Sequence, residues 1–207
     1  MNRLTSAIFS VDGTLMPTLV ELSAFDPNWT NDFSAAEVLL RATLGKFVVS
    51  VDHIGSTAVP GLAAKPIIDI DITISSLDDV PDASAELVKR GFESRGNRYD
   101  DDVWAFLWKC RMPQIRVYLC PPLNRTHERR MLFRDYLRQH EEVATEYAVL
   151  KRRLADQFPY DGDRYTSEKS AFISEIVGRA LKESWEDVTS GRPQEVDTQF
   201  SSFSDRS

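Results

Sequence analysis

An α+β domain is the fold class this sequence predicts: a mixed β-sheet of four to five strands packed with helices, followed by a C-terminal helical segment. Three observations carry it. Residues 67–74, IIDIDITI, alternate strictly, with Ile68, Ile70, Ile72 and Ile74 on one side and Asp69, Asp71 and Thr73 on the other, the period-two pattern of a strand with one buried face. Short β-branched or aromatic runs at 47–51, 103–110 and 114–119 supply further strands. From Asn124 the pattern turns helical and stays so to residue 183.

The 207 residues, 42% hydrophobic and 28% charged, suit one domain with a full core. We expect that domain over 1–183 and a polar, Ser-rich, disordered tail over 184–207. A net charge of −7 opposes extended nucleic-acid binding, which relies on clustered cations. Cys110 and Cys120 lack metal-ligand spacing and read as buried free thiols. No apolar run is long enough to span a membrane, and no secretory leader pattern opens the chain, so a cytoplasmic protein is expected.

In chain order, residues 7–15, AIFSVDGTL, resemble the opening motif of haloacid-dehalogenase-type phosphatases, but Ser10 stands where that motif needs its nucleophilic aspartate. The plainer reading is a short strand with an Asp12-Gly13 turn, the first arm of a hairpin into 18–22. Phe33, Ala36, Val38, Leu40 and Leu44 are spaced as on an amphipathic helix over 31–44, capped by Asn31 or Asp32 and closed by Gly45. The run 47–51 is apolar on both sides, as a strand covered on both faces would be. A helix over 79–90 ends at Gly91, and the strands at 103–110 and 114–119 pair about residues 111–113. Trp104, Phe106 and Trp108 project to one side, which favours core packing over a base-stacking platform. Helices over 125–140, 142–157 and 165–183 follow, separated by the Pro159 and Gly162 signals.

The chemistry gathers at 51–74. Alternate strand residues lie roughly 7 Å apart on one face, so Asp69 and Asp71 repel each other alone and can share a divalent cation. Oxygen ligands favour Mg²⁺ or Mn²⁺. Gly55 allows close backbone approach to a phosphate, Ser56 adds a hydroxyl, and Lys65 adds a point charge. Pro60-Gly61 shapes the loop and Pro66 enforces an extended entry to the strand. Either half alone is ordinary: an Asp-x-Asp in a strand is usually a solvated face, and a Gly-Ser is common in loops.

Their conjunction matches the nucleotidyltransferase superfamily that includes DNA polymerase β: helix, strand, Gly-Ser, a dozen residues, then a strand with Asp-x-Asp. More closely, HIGSTAVPGLAAKPIIDIDI at 53–72 resembles the GrpB (UPF0157) family, a nucleotidyltransferase-like domain also found fused behind dephospho-CoA kinase. FDPNW at 25–29, LFRDYLRQH at 132–140, YAVLKRRLA at 147–155 and YTSEKSAFI at 165–173 extend the resemblance over 20–180. It implies a nucleotidyltransferase-like fold. With the residues above it implies a metal-dependent transferase that moves an NMP group from an NTP to a small-molecule acceptor, or adenylates a carboxylate for ligation. The alternative is a non-catalytic nucleotide- or anion-binding module with a degenerate metal site.

In the transferase reading Asp69 and Asp71 hold Mg²⁺. Gly55, Ser56 and Lys65 hold phosphates, and Arg134, Lys151 and Lys169, with Arg138, build a basic wall around them. His53 is either a phosphate contact or general base, or a loop-fixing residue. One departure stands out. GrpB-like sequences tend to show His-x-His where this chain has Gln114-Ile115-Arg116, so the third metal ligand is missing there. With adjacent pairing Arg116 faces the aspartates, to bind an anion or to mark an altered metal site. The run 100–102 is a solvated turn or a reserve carboxylate.

Overall fold

The structure is a computed structural model and describes residues 19–98, 101–110 and 112–190. The expected strand and turn about Ser10 to Thr14, Asp100, Arg111 and the tail from 191 lie outside the described residues.

Strand β2 (Ile67–Ile74) is the centre of the fold because its alternation makes it two-faced. Ile68, Ile70, Ile72 and Ile74 are all fully buried, each contributing about 1.5–3 kcal/mol by transfer from water. They pack under helices α1 (Asn28–Leu44) and α2 (Val80–Lys89), with Leu40, Leu44, Ala83, Leu87 and, from the neighbouring strands, Phe106, Ile115, Val117 and Leu119. Trp104 and Trp108 pack against the same core, as their alternation with Phe106 requires.

The sheet has five strands in the order β1-β2-β5-β4-β3. β1 (Val48–Ile54) runs antiparallel to β2, and β2 runs parallel to β5 (Gln114–Cys120). β4 (Val103–Trp108) pairs antiparallel with both β5 and β3 (Glu93–Arg98). The expectation of a mixed four- to five-stranded sheet is met, and its fifth member is the one the sequence hides. β3 reads ESRGNR, is exposed throughout and has no apolar alternation, so only its pairing with β4 makes it a strand.

The opposite face of the sheet carries helix α3 (Arg125–Gln139), which packs with α4 (Glu141–Gln157) and α6 (Ser170–Ser190) around Tyr136, Leu137, Val143, Tyr147 and Ile176. A short helix α5 (Gly162–Ser167) buries Tyr165 against Val20 and Leu154.

Four expectations need correction. α1 begins at Asn28, and the Asp26 carboxylate accepts from the Asn28 N–H at 2.9 Å, so the helix starts before Asn31 and Asp32. Pro27, at φ −57°, already has helical geometry and lets the turn begin there. β1 is a sheet edge with Val49 59% exposed, and is not covered on both faces. Cys110 is exposed; only Cys120 is buried. Finally, α6 continues to Ser190, past the expected end at Glu183, with a 3.8 Å Lys182–Glu186 pair spanning that point.

Candidate anion site on the α3 face of the sheet

Register decides which side chains meet. Asp69 lies opposite Arg116 and Asp71 opposite Tyr118 across the parallel β2–β5 pair, which brings Arg116 onto the aspartate face as adjacent pairing requires. On the other side of β2, Asp52 of β1 is the register partner of Asp71. The face therefore carries three carboxylates, and the third comes from β1, not from the strand where the sequence shows Gln114 and Arg116. Asp101, one of the reserve carboxylates, is engaged elsewhere: its Oδ2 accepts from the Thr126 backbone N–H at 3.1 Å and hydroxyl at 2.5 Å, clamping the start of α3. The signal for Asp52 was present, since Ser50 and Asp52 alternate with Val49 and Val51, but the apolar run concealed it.

Helix α3 is aimed at this face by its N-terminus. Asn124 caps it, accepting from the His127 N–H at 3.0 Å, and its own amide donates to the Asp101 carbonyl at 2.6 Å. One turn in, His127 Nδ1 donates to Asp71 Oδ2 at 3.0 Å, while its Nε2 lies 3.9 Å from Asp52 Oδ2. The hydrogen bond to Asp71 holds the imidazole above its usual pKa, against burial. Arg130 donates to Asp71 Oδ1 at 2.6 Å, and its guanidinium stands 4.0 Å from the Tyr118 ring centre. At the other end Arg116 Nη1 donates to Asp69 Oδ1 at 3.2 Å. Burial raises the Asp69 pKa, and the Arg116 and Arg130 charges oppose that rise.

These pairings test whether the carboxylates suit Mg²⁺ or Mn²⁺. Asp71 is wholly buried, one oxygen on a guanidinium and the other on an imidazole. Asp69 already holds Arg116. Two like unit charges 4 Å apart repel by about 4 kcal/mol at an effective dielectric of 20, and a dication beside Arg130 doubles that. Among the described residues no group of three or more His, Cys, Asp or Glu side chains is disposed to hold a metal ion. As arranged, Asp69 and Asp71 do not fit the expected cation.

A second cluster lies against Asp69 from the loop side. Gly55 turns the chain at φ +72°, and a Cβ there would meet Asp69 Oδ2 at 3.0 Å, so the glycine is required by conformation and by space. Lys151 of α4, only 2% exposed, donates to the Ser56 hydroxyl at 3.1 Å and to the Ala63 carbonyl. Burial and then Lys169 bring its pKa down to about 7. Lys169 falls to about 8 through burial and then Lys65, and Lys65 is lowered by burial and then Arg116. The Nζ atoms of Lys65 and Lys169 sit 4.8 and 4.2 Å from the centre of one Tyr165 ring. Ser56, Lys65, Arg116, Lys151 and Lys169 are thus gathered around the Gly55 turn and Asp69, and neighbouring cations add to burial in lowering the pKa of each of the three lysines.

Three predicted residues lie apart from this cluster. His53 is on the opposite face of β1 from Asp52, stacked on Phe33 at 4.6 Å with Nε2 3.0 Å from the Thr57 hydroxyl. Burial, then Arg138 and Arg134, lower its pKa to about 4. Arg134 donates to the His53 carbonyl at 3.0 Å and is held by Asp135. Arg138 likewise donates to the Ala58 carbonyl at 2.9 Å. These three brace the loop that carries Gly55 and Ser56.

The family model described as GrpB protein matches residues 19–179. The chain is 33% identical over 154 residues to the UPF0157 protein YqkA of Bacillus subtilis, covering 74% of this chain and 45% of that protein, so it spans less than half the length of that relative. It is 34% identical over 167 residues to the glutamate-rich protein GrpB of Alkalihalophilus pseudofirmus, covering 76% of this chain and 94% of the relative. Among solved structures, the conserved protein GrpB from Enterococcus faecalis superposes with a TM-score of 0.71 at 32% identity, over 80% of this chain and 99% of that one.

Proposed function

The chain belongs to the GrpB family, and from that premise we propose that it binds a phosphorylated small molecule, a nucleotide by class, at the Gly55–Ser56 turn. The observation that carries this reading is the convergence of Lys65, Arg116, Lys151 and Lys169 there. Burying mutually repelling cations is unfavourable, and the depressed lysine pKa values register that cost. A phosphate chain reverses it, since each ammonium then forms a charge-assisted hydrogen bond to an oxyanion. Arg116 supplies a planar donor edge, Lys65 and Lys169 compact charges, and Ser56 a hydroxyl already oriented by Lys151.

The test is calorimetric titration of the full chain with pyrophosphate and with ATP. Binding is expected, and Lys169→Gln, at a partly exposed position, should weaken it by about tenfold, the worth of one charged hydrogen bond. Absence of heat with both ligands, or unchanged affinity in the variant, overturns the reading.

A second reading is the metal-dependent transfer of an NMP group from an NTP to a small-molecule acceptor. The observation in its favour is Asp52, which adds a third carboxylate opposite Asp71. It requires Arg130 and Arg116 to leave the carboxylates they now hold. Pyrophosphate release from NTPs with a metabolite extract, lost in Asp69→Asn, would favour it over simple binding.

A further inference from the structure

The carboxylate face departs from a metal site in one way: Asp69 and Asp71, the two carboxylates a shared cation would bridge, are each met by a guanidinium of the chain itself. Asp71, buried completely, has Arg130 on Oδ1 and His127 on Oδ2. Asp52, its register partner, accepts from the Ser50 hydroxyl at 2.7 Å and has the far nitrogen of that imidazole 3.9 Å away. Asp69 is faced by Arg116, its register partner on β5. The Arg130 pairing is not a surface pairing of convenience, and the Arg116 pairing is the more exposed of the two. Arg130 has 19% of its side chain exposed, lies against the Tyr118 ring, and projects from a helix whose first turn is fixed by the Asn124 cap and the Asp101 clamp.

A tethered guanidinium differs from a bound ion in a way that matters here. Its local concentration is set by the helix and does not depend on the solution, so it wins over a weakly held divalent ion unless the ion gains several ligands at once. With Arg130 and His127 on its two oxygens Asp71 is fully engaged, and Arg116 holds one oxygen of Asp69.

We infer that Arg130 and Arg116 replace the divalent cation on this face: the domain works without metal, and the two arginines occupy the Asp71 and Asp69 carboxylates that such an ion would need. The statement about metal stands on the carboxylate pairing alone. Its corollary, that the phosphorylated ligand enters without Mg²⁺, rests on the reading proposed above.

The test uses Mn²⁺ alone, followed by the paramagnetic resonance signal of the free ion, on the full chain after treatment with EDTA. Wild type should leave the signal of a protein-free control at millimolar Mn²⁺. The double variant Arg116→Gln with Arg130→Gln should bind one Mn²⁺ at least about tenfold more tightly than wild type, and adding Asp71→Asn should abolish the gain. Stoichiometric binding by wild type that disappears in Asp71→Asn overturns the inference, as does a folded double variant no better than wild type. Removing Arg130 leaves Asp71 buried with one partner fewer, so the variant's melting temperature is read as well. Stabilisation by Mn²⁺ that wild type lacks supports the inference even if the metal-free variant is poorly folded, and no stabilisation counts against it. Pyrophosphate titration in EDTA separates the two claims: if wild type gives no heat while the Mn²⁺ pattern holds, only the ligand reading fails.

Discussion

Gly55 shows how a single residue ties backbone conformation to chemistry. Its φ of +72° and the 3.0 Å approach of Asp69 Oδ2 leave no place for a side chain. Gly55→Ala should destabilise the domain by about 1–3 kcal/mol, measured by urea unfolding. Lys151 makes a pH prediction. Its pKa is about 7 when folded and near 10.4 when unfolded. The ammonium is the form that binds an oxyanion, so pyrophosphate affinity should be highest below about pH 7 and fall as pH rises through the Lys151 and Lys169 values. Binding should also take up protons near neutrality, read from the buffer dependence of the heat. Stability of the ligand-free protein has the opposite sign. The unfolded chain holds more protons between the two Lys151 values, so this group makes stability rise with pH across that window. Its titration is set first by burial and then by the charges of Lys169 and Arg152.

At the scale of elements, α3 organises the site. His127, Arg130, Arg134 and Arg138 are spaced by three, four and four residues, one stripe along the helix. The first two meet the carboxylates and the last two the loop carbonyls of His53 and Ala58. Arg134→Ala should therefore raise amide exchange in residues 54–62 more than in β2, with a stability loss of about 1–3 kcal/mol. The cap gives a cleaner control: Asn124→Ala should cost about 1 kcal/mol and shift the whole stripe. Part of this element was legible. The one-turn spacing of Arg134 and Arg138 is plain in the sequence, and so is the helix that carries them. What the stripe faces was not legible, because a row of arginines is equally suited to phosphates, carboxylates or backbone carbonyls. Only the docking of α3 across the sheet selects among them.

For the whole molecule, the net charge of −7 and the cationic cluster around Gly55 act at different ranges. Screening over about 10 Å separates them at moderate salt. A long single-stranded RNA should therefore not be retained on filters under conditions where pyrophosphate binds. Among the described residues no helix is long and apolar enough to cross a membrane.

By itself the sequence determined the α+β class, β2 with its two faces, the main helices and the residues of the Gly55–Ser56 turn, because alternation, helical spacing and capping act within a few residues. It also marked Lys65, Lys151 and Lys169, which lie inside the range 19–179 that the family model matches. The tertiary structure alone decided that Asp52 stands beside Asp71, that His53 turns away, and that β3 is a strand. It also decided the partners of the carboxylates. Arg116 reaches Asp69 across 47 residues, and His127 and Arg130 reach Asp71 across 56 and 59. Pairings at that separation depend on register and helix docking, which no local pattern encodes.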